Sequence, residues 1–235
     1  MKVAYVTGGT KGIGLAVVHA LIKENYHVAL TASSQDSVDQ AIAALAQNPD
    51  KVLCKQLDVR DYMGQEAFAQ EIIAKWGQID VLIANAGIGH FAPIDELSAQ
   101  QWNDVIDINL TGVFNSVKAC VDALKKSKGY IISIASLAGT NFFEKGAAYN
   151  ASKFGLVGFT QAIMLDLRKY GIKVSTIMPG SVSTHFNNHK PSEKDAWKIQ
   201  PEDIAKLVID VLHMPPRTLP SKIEVRPSIP PSALK

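Results

Sequence analysis

The segment Thr7-Gly8-Gly9-Thr10-Lys11-Gly12-Ile13-Gly14 constrains the fold of this chain more than any other. It follows the β-branched run Val3–Thr7 and opens a helix-period stretch near Gly12–Glu24. Glycine therefore clusters where a strand turns into a helix, the place where strand, turn and helix backbones crowd one another and a Cβ is least tolerated. The strand–helix alternation then repeats along the sequence. Further strands are predicted at His27–Thr31, Val52–Leu57, Val81–Ala84, Tyr130–Ala135, Lys173–Met178 and Lys222–Val225. Helices are predicted near Ser37–Ala46, Met63–Trp76, Ala99–Lys126, Ala148–Tyr170 and Pro201–His213, the last opened by Pro201 and the acids Glu202 and Asp203. Such alternation gives parallel strands joined by helical crossovers, and several strands are apolar enough to be covered on both faces. The expected architecture is α/β: a single domain over residues 1–235, built on a doubly wound, seven-stranded parallel sheet with helices on both faces.

The length of 235 residues and 47% hydrophobic content suffice for one sizeable core. A formal charge of +2, with no dense basic block, argues against a nucleic-acid partner. The two cysteines, Cys54 and Cys120, have no metal-ligand or disulfide spacing and read as buried thiols in a reducing compartment. His90, His185, His189 and His213 also lack ligand spacing, so no metal is expected. The N-terminus shows no signal-peptide pattern and no stretch is long and apolar enough for a bilayer, which predicts a cytoplasmic protein with no membrane partner. Six of the eleven prolines fall in the tail 215–235, which is expected to be extended around its one strand.

In its strand-to-helix context the glycine loop is a phosphate site. Gly8, Gly12 and Gly14 allow a tight turn, close approach of backbone to a pyrophosphate and packing of helix on strand, with Thr10, Lys11 and Ile13 between them. A Rossmann-type dinucleotide site follows. For NAD an acidic residue is expected at the end of the second strand, where this chain has Ala32. Ser33 and Ser34 beside it, with Lys11 in the loop, suit the 2′-phosphate of NADP(H), and NAD(H) remains an alternative because Asp36 is near and no arginine is. Asp58 is placed to accept from the adenine amino group. Asn85-Ala86-Gly87, after the fourth strand, would bring backbone close to the cofactor.

Tyr149 and Lys153 are four residues apart on a predicted helix and share a face. A phenol titrates near ~10, and a neighbouring ammonium stabilises phenolate, bringing tyrosine within range of proton transfer. The apolar neighbours Ala148, Ala151, Phe154, Leu156 and Val157 predict a largely buried lysine that needs a partner.

With Asp58-Val59, Asn109, Ser136 and Pro179-Gly180 added in order, the chain resembles the short-chain dehydrogenase/reductase family over almost its whole length. The resemblance implies Tyr149 as general acid in carbonyl reduction and base in alcohol oxidation, and Ser136 as holder of the substrate oxygen. Lys153 would bind the nicotinamide ribose and lower the tyrosine pKa, and Asn109 would hold a water feeding protons to Lys153. Val59, Pro179, Gly180, Val182 and Thr184 would line the cofactor, the last two at its carboxamide and phosphate. Two departures are Ala84, where the family often has a second asparagine, and the ending Ile223-Glu224-Val225-Arg226-Pro227 in place of a glycine-rich segment.

His90, Phe91, Phe142, Phe143 and Phe186 are expected around an apolar substrate pocket, and residues 182–200 as a substrate lid whose lysines Lys190, Lys194 and Lys198 are solvated. The leading expectation is an NADP(H)-dependent oxidoreductase interconverting a small-molecule ketone or aldehyde and an alcohol. A 3-oxoacyl-carrier reductase and a non-catalytic NADP(H)-binding regulator are the alternatives. The helices near 99–126 and 148–170 resemble the family's dimer-forming pair, so a homodimer or homotetramer is expected.

Overall fold

The computed structural model describes residues 1–230; the end of the proline-rich tail, from Pro231 on, lies outside the described residues. Seven strands form one sheet: β1 (Val3–Thr7), β2 (His27–Ala32), β3 (Val52–Gln56), β4 (Val81–Ala84), β5 (Tyr130–Ile134), β6 (Lys173–Pro179) and β7 (Lys222–Val225). Their order is β3-β2-β1-β4-β5-β6-β7 and every pairing is parallel. The chain runs outward from β1 to β3, then returns to add β4 on the other side of β1. Between β1 and β4 two loops therefore leave in opposite directions, which opens a crevice at the strand C-termini.

The helices are α1 (Gly12–Lys23), α2 (Gln35–Ala44), α3 (Tyr62–Trp76), α4 (Ala99–Ile106), α5 (Gly112–Ser127), α6 (Ala147–Leu167) and α7 (Pro201–Leu212). Alternation along β1 sends Ala4 and Val6 to one face of the sheet, against Val17, Leu21 and Val208 of α1 and α7. Val3 and Tyr5 go to the other, against Phe68, Val117, Leu124 and Leu156 of α3, α5 and α6. Each such aliphatic or aromatic side chain withdrawn from water contributes about 1.5–3 kcal/mol, and each face of the sheet carries its own core cluster.

Boundaries differ from expectation where capping decides them. Helix α2 starts before Ser37, because Ser34 Oγ accepts from Ser37 N at 3.3 Å and caps it. The predicted helix Ala99–Lys126 is α4 and α5 joined through a π-helical turn at Asp107–Thr111. Its extra residue per turn accommodates Asn109, which turns inward to bond backbone on another element. Among the described residues, no helix is long and apolar enough to cross a membrane. Cys120 is buried, but Cys54 is only half-buried.

Candidate active site

The glycine loop after β1 is locked to the loop after β4. Thr7 Oγ1 accepts from Asn85 N at 3.0 Å and Ala86 N at 3.1 Å, and Asn85 Nδ2 donates to Thr7 O and Gly8 O at 3.0 Å each. Gly8 and Gly12 adopt φ of +63° and +54°, conformations costly for any residue with a Cβ. A Cβ on Gly14 would overlap Gly8 O, and one on Gly12 would stand 3.3 Å from Thr184 Cγ2, so the loop after β6 reaches the same turn. Helix α1 begins there with no side-chain cap on its first N–H groups. Uncapped amides at a helix N-terminus, approachable because Cβ atoms are missing, suit a pyrophosphate, so these residues fit a dinucleotide.

At the end of β2, Ala32 is buried while Ser33, Ser34 and Lys11 are exposed. Ser34 is engaged as the α2 cap, so of the two serines Ser33 is the one without a capping duty. Asp58 is held by Arg60, whose Nη2 donates to Asp58 Oδ2 at 2.6 Å and whose Nε donates to both carboxylate oxygens at 3.0 and 3.1 Å. That guanidinium holds the Asp58 carboxyl below its ordinary range.

Tyr149 and Lys153 project from the start of α6. Ser136 follows β5, caps the short 3-10 turn Leu137–Gly139 by accepting from Ala138 N at 3.1 Å, and lies 3.5 Å from Pro179 O at the end of β6. Burial raises the Tyr149 phenol above its ordinary pKa, and hydrogen bonding with Ser136 acts in the opposite sense. Lys153 is buried, donates to Ile134 O at 3.2 Å, and is depressed by that burial to about 8. Its Nζ would be 3.7 Å from a Cβ on Gly87. Asn109 is fully buried, its Oδ1 accepting from Ile88 N at 2.8 Å and its Nδ2 donating to Ile88 O at 2.9 Å and Ser152 Oγ at 3.0 Å. The amide thus ties the loop carrying Gly87 to the helix carrying Tyr149 and Lys153.

Of the residues expected around a substrate pocket, Phe91, Phe143 and Phe186 surround Tyr149, with ring centroids 5.4, 6.5 and 5.7 Å from its own. Phe142, expected beside them, does not join them; it is 85% exposed. His90 is half-buried and forms none of these ring pairs. The segment 182–200 is closed at its base by a Val182–Ile199 bridge, with Ser183 N donating to Ile199 O at 2.9 Å. Inside it Asp195 pairs with Lys198 and His189, both at 2.6 Å, and accepts from Ser192 N at 3.1 Å. Lys198 is therefore not a solvated lysine, whereas Lys190 and Lys194 are exposed.

Sequence reasoning missed several residues that set this geometry. Asn150 is buried, donates to Ala138 O and Asn141 O at 2.8 Å each and accepts from Phe143 N at 3.3 Å, pinning the loop that bears Ser136 and Phe143. Ser152 links Asn109 to the backbone of Tyr149, donating to Tyr149 O at 2.8 Å. No local pattern marks either one. Asp195 and Lys198 do carry a signal, an acid and a base three apart.

Comparison with known proteins agrees with the arrangement. A family model described as short chain dehydrogenase matches residues 2–195. The monensin polyketide synthase putative ketoacyl reductase of Streptomyces virginiae is 39% identical over 186 residues, covering 78% of this chain and 71% of that protein. A glycine betaine reductase of Emericella nidulans is 30% identical over 96% of this chain, which spans only 19% of that longer protein. Among solved structures, an alcohol dehydrogenase from the archaeon Thermococcus sibiricus, complexed with 5-hydroxy-NADP, superposes with a TM-score of 0.90 at 30% identity over 97% of both chains. A family match that covers residues 2–195, from just before β1 to the Asp195 loop, places this chain in the short-chain dehydrogenase family.

Proposed function

We propose that the chain is an NADP(H)-dependent oxidoreductase that interconverts a ketone or aldehyde and an alcohol, with Tyr149 as general acid in reduction and base in oxidation. The observation that carries this reading is the assembly of Ser136, Tyr149 and Lys153 from two separate elements, backed by Asn109, beside the glycine cradle. A bound nicotinamide supplies or accepts the hydride. Ser136 holds the substrate oxygen, and the Tyr149 phenol gives its proton to that oxygen as the carbon gains the hydride. Lys153 provides the positive charge that favours phenolate in the reverse direction. Because the Asn109 amide is committed to Ile88 and Ser152, its part in this reading is to fix Gly87 and α6 relative to one another.

Gly8, Thr10, Lys11, Gly12, Ile13 and Gly14 would bind the pyrophosphate, with Asn85, Ala86, Gly87, Pro179, Gly180, Val182 and Thr184 along the rest of the cofactor. Asp58, oriented by Arg60, and Val59 would take the adenine. Ser33 and Lys11, beside an uncharged Ala32, favour NADP(H), as does the ligand of the Thermococcus sibiricus enzyme. The single continuous sheet supports treating 1–235 as one domain. Similarity to a putative ketoacyl reductase favours carrier-bound 3-oxoacyl thioesters as the second substrate reading. A regulator that only bound cofactor would have no use for the Ser136/Tyr149/Lys153 set.

The test is NADPH oxidation across free ketones, aldehydes and a carrier-bound 3-oxoacyl thioester, with Tyr149→Phe in parallel. Turnover should fall by about 10²–10⁴ in the variant while cofactor binding persists. Full activity in Tyr149→Phe would remove the tyrosine from the chemistry, and no oxidation with any carbonyl would favour the regulator.

A further inference from the structure

Three phenylalanines reach Tyr149 from three different loops, after β4, β5 and β6, and each rests on or beside a glycine. A Cβ on Gly89 would collide with the rings of Phe91 and Phe186, at 2.7 and 2.9 Å, and one on Gly146 with the ring of Phe143 at 2.7 Å. The rings are placed by surfaces from which a side chain has been left out. They also meet one another, Phe91 lying 5.8 Å from Phe143 and 6.4 Å from Phe186. Ala92 N donates to Lys145 O at 3.1 Å and joins the first two loops. Even so, Phe91, Phe143 and Phe186 remain 36, 48 and 39% exposed, so part of each ring is open to a further apolar group.

The electrostatics are equally one-sided. Lysines lie over the rings of Tyr26, Phe68, Trp76, Tyr130, Tyr149, Tyr170 and Trp197, and over none of these three among the described residues. Aromatic rings prefer tilted or edge-to-face neighbours, and the pairs around Tyr149 are inclined by 50–64°. A flat ring entering there meets ring edges and faces from three sides. A flexible alkyl chain would gain only area and would lose rotamer freedom in fitting.

Building on the oxidoreductase reading above, we propose that Phe91, Phe143 and Phe186 form an aromatic subsite that selects aryl ketones and aryl aldehydes, with Phe186 the residue that sets the preference. Phe186 opens a short 3-10 turn, Phe186–Asn188, within the 182–200 segment. Asn187 and Asn188, next to it, adopt φ of 54° and 60°, and Phe186 N donates to Thr184 Oγ1 at 3.3 Å. Thr184 in turn faces Gly12 of the glycine loop. Tyr149 would give its proton to the carbonyl oxygen, and a reduced nicotinamide, when bound, would supply the hydride to the carbonyl carbon, so that the products balance as a benzylic alcohol and the oxidised cofactor.

Acetophenone and octan-2-one, matched in carbon number, test the proposal by two measurements. In cofactor-free protein, saturation-transfer NMR should show acetophenone bound and octan-2-one weak, with the acetophenone signal attenuated in Phe186→Leu. In NADPH turnover, kcat/KM should favour acetophenone by about 10-fold, and Phe186→Leu should reduce that ratio at least about fivefold. Equal binding of the two ketones, or a ratio unchanged in the variant, overturns the aryl preference alone. Failure to reduce any carbonyl removes the oxidoreductase reading and this inference with it.

Discussion

Lys153 Nζ lies over the Tyr149 ring, 5.6 Å from its centroid, and gives its hydrogen bond to Ile134 O at 3.2 Å. The cation thus acts on the phenol through space, from a buried position. That burial has a cost: the folded-state pKa is about 8 against 10.5 unperturbed, and 2.5 units correspond to about 3 kcal/mol against the charged form at neutral pH. Between those two values the unfolded chain holds a proton that the folded one has released, so this group makes stability rise with pH across that window. Lys153→Met should therefore raise neutral-pH stability by about 1–3 kcal/mol and flatten the alkaline rise, while activity falls sharply. In the residual alcohol oxidation, loss of the cation should move the pH midpoint upward. Denaturant unfolding at pH 7 and 10 checks the first half, and a kcat/KM pH profile the second. A variant less stable than the parent at pH 7 would show that the Ile134 bond outweighs the burial.

Asn150 should matter more than its place between Tyr149 and Lys153 suggests. Asn150→Asp keeps the shape but replaces both donors to Ala138 O and Asn141 O with an acceptor, setting a carboxylate against two carbonyls. A loss of about 2–4 kcal/mol is expected, with faster amide exchange confined mainly to 136–143 and a lower kcat as Ser136 loosens. Unaltered exchange in that loop would mean that its order comes from elsewhere.

Asp195 stays ionised across the physiological pH range, so its ion pair with Lys198 staples the 182–200 segment throughout that range. Lys198 first, then His189, hold its carboxyl down to about 2. A depressed carboxyl stabilises above its unfolded pKa, near ~3.9, and that contribution disappears as pH falls through about 2. Proteolysis within 182–200 should thus be slow from pH 5 to 8 in the parent and accelerated at all these values in Asp195→Asn. Equal cleavage of the two would leave the staple without a role in ordering the segment.

The seven-stranded parallel sheet and the glycine turn were legible because they depend on local periodicity and on where a Cβ is forbidden, whereas the order of the strands is set by pairings between distant segments and was not. Tyr149 and Lys153 could be placed on one helix face from their spacing, and Ser136 was singled out only through the family resemblance. What escaped depends on partners distant in sequence. The π-helical turn around Asn109 exists to serve Ile88, 21 residues away, so the apolar pattern of 99–126 reads as one helix. Arg60 looks like a surface base until it closes on Asp58 and, at 3.1 Å, on Asp104. Phe142 and Phe143 are alike in sequence, and it is Phe143 whose N–H bonds to Asn150 and whose ring meets Tyr149.

Cofactor choice rests on the end of β2, where buried Ala32 precedes exposed Ser33. A carboxylate placed there would repel a phosphate carrying close to two negative charges and could accept from a ribose 2′-hydroxyl instead. Ala32→Asp should weaken NADPH binding by about 10–100-fold and tighten NADH binding, with no change in the fold of the sheet, since the substituted position is the last residue of β2 and its pairing with Gln56 uses backbone alone. Fluorescence titration of both reduced cofactors against parent and variant decides the matter. If the parent binds NADH as tightly as NADPH, the uncharged strand end does not discriminate between them and the preference for NADP(H) falls. If the parent discriminates but the variant does not lose NADPH affinity, recognition of the 2′-phosphate rests on Ser33 and Lys11 and not on the uncharged Ala32.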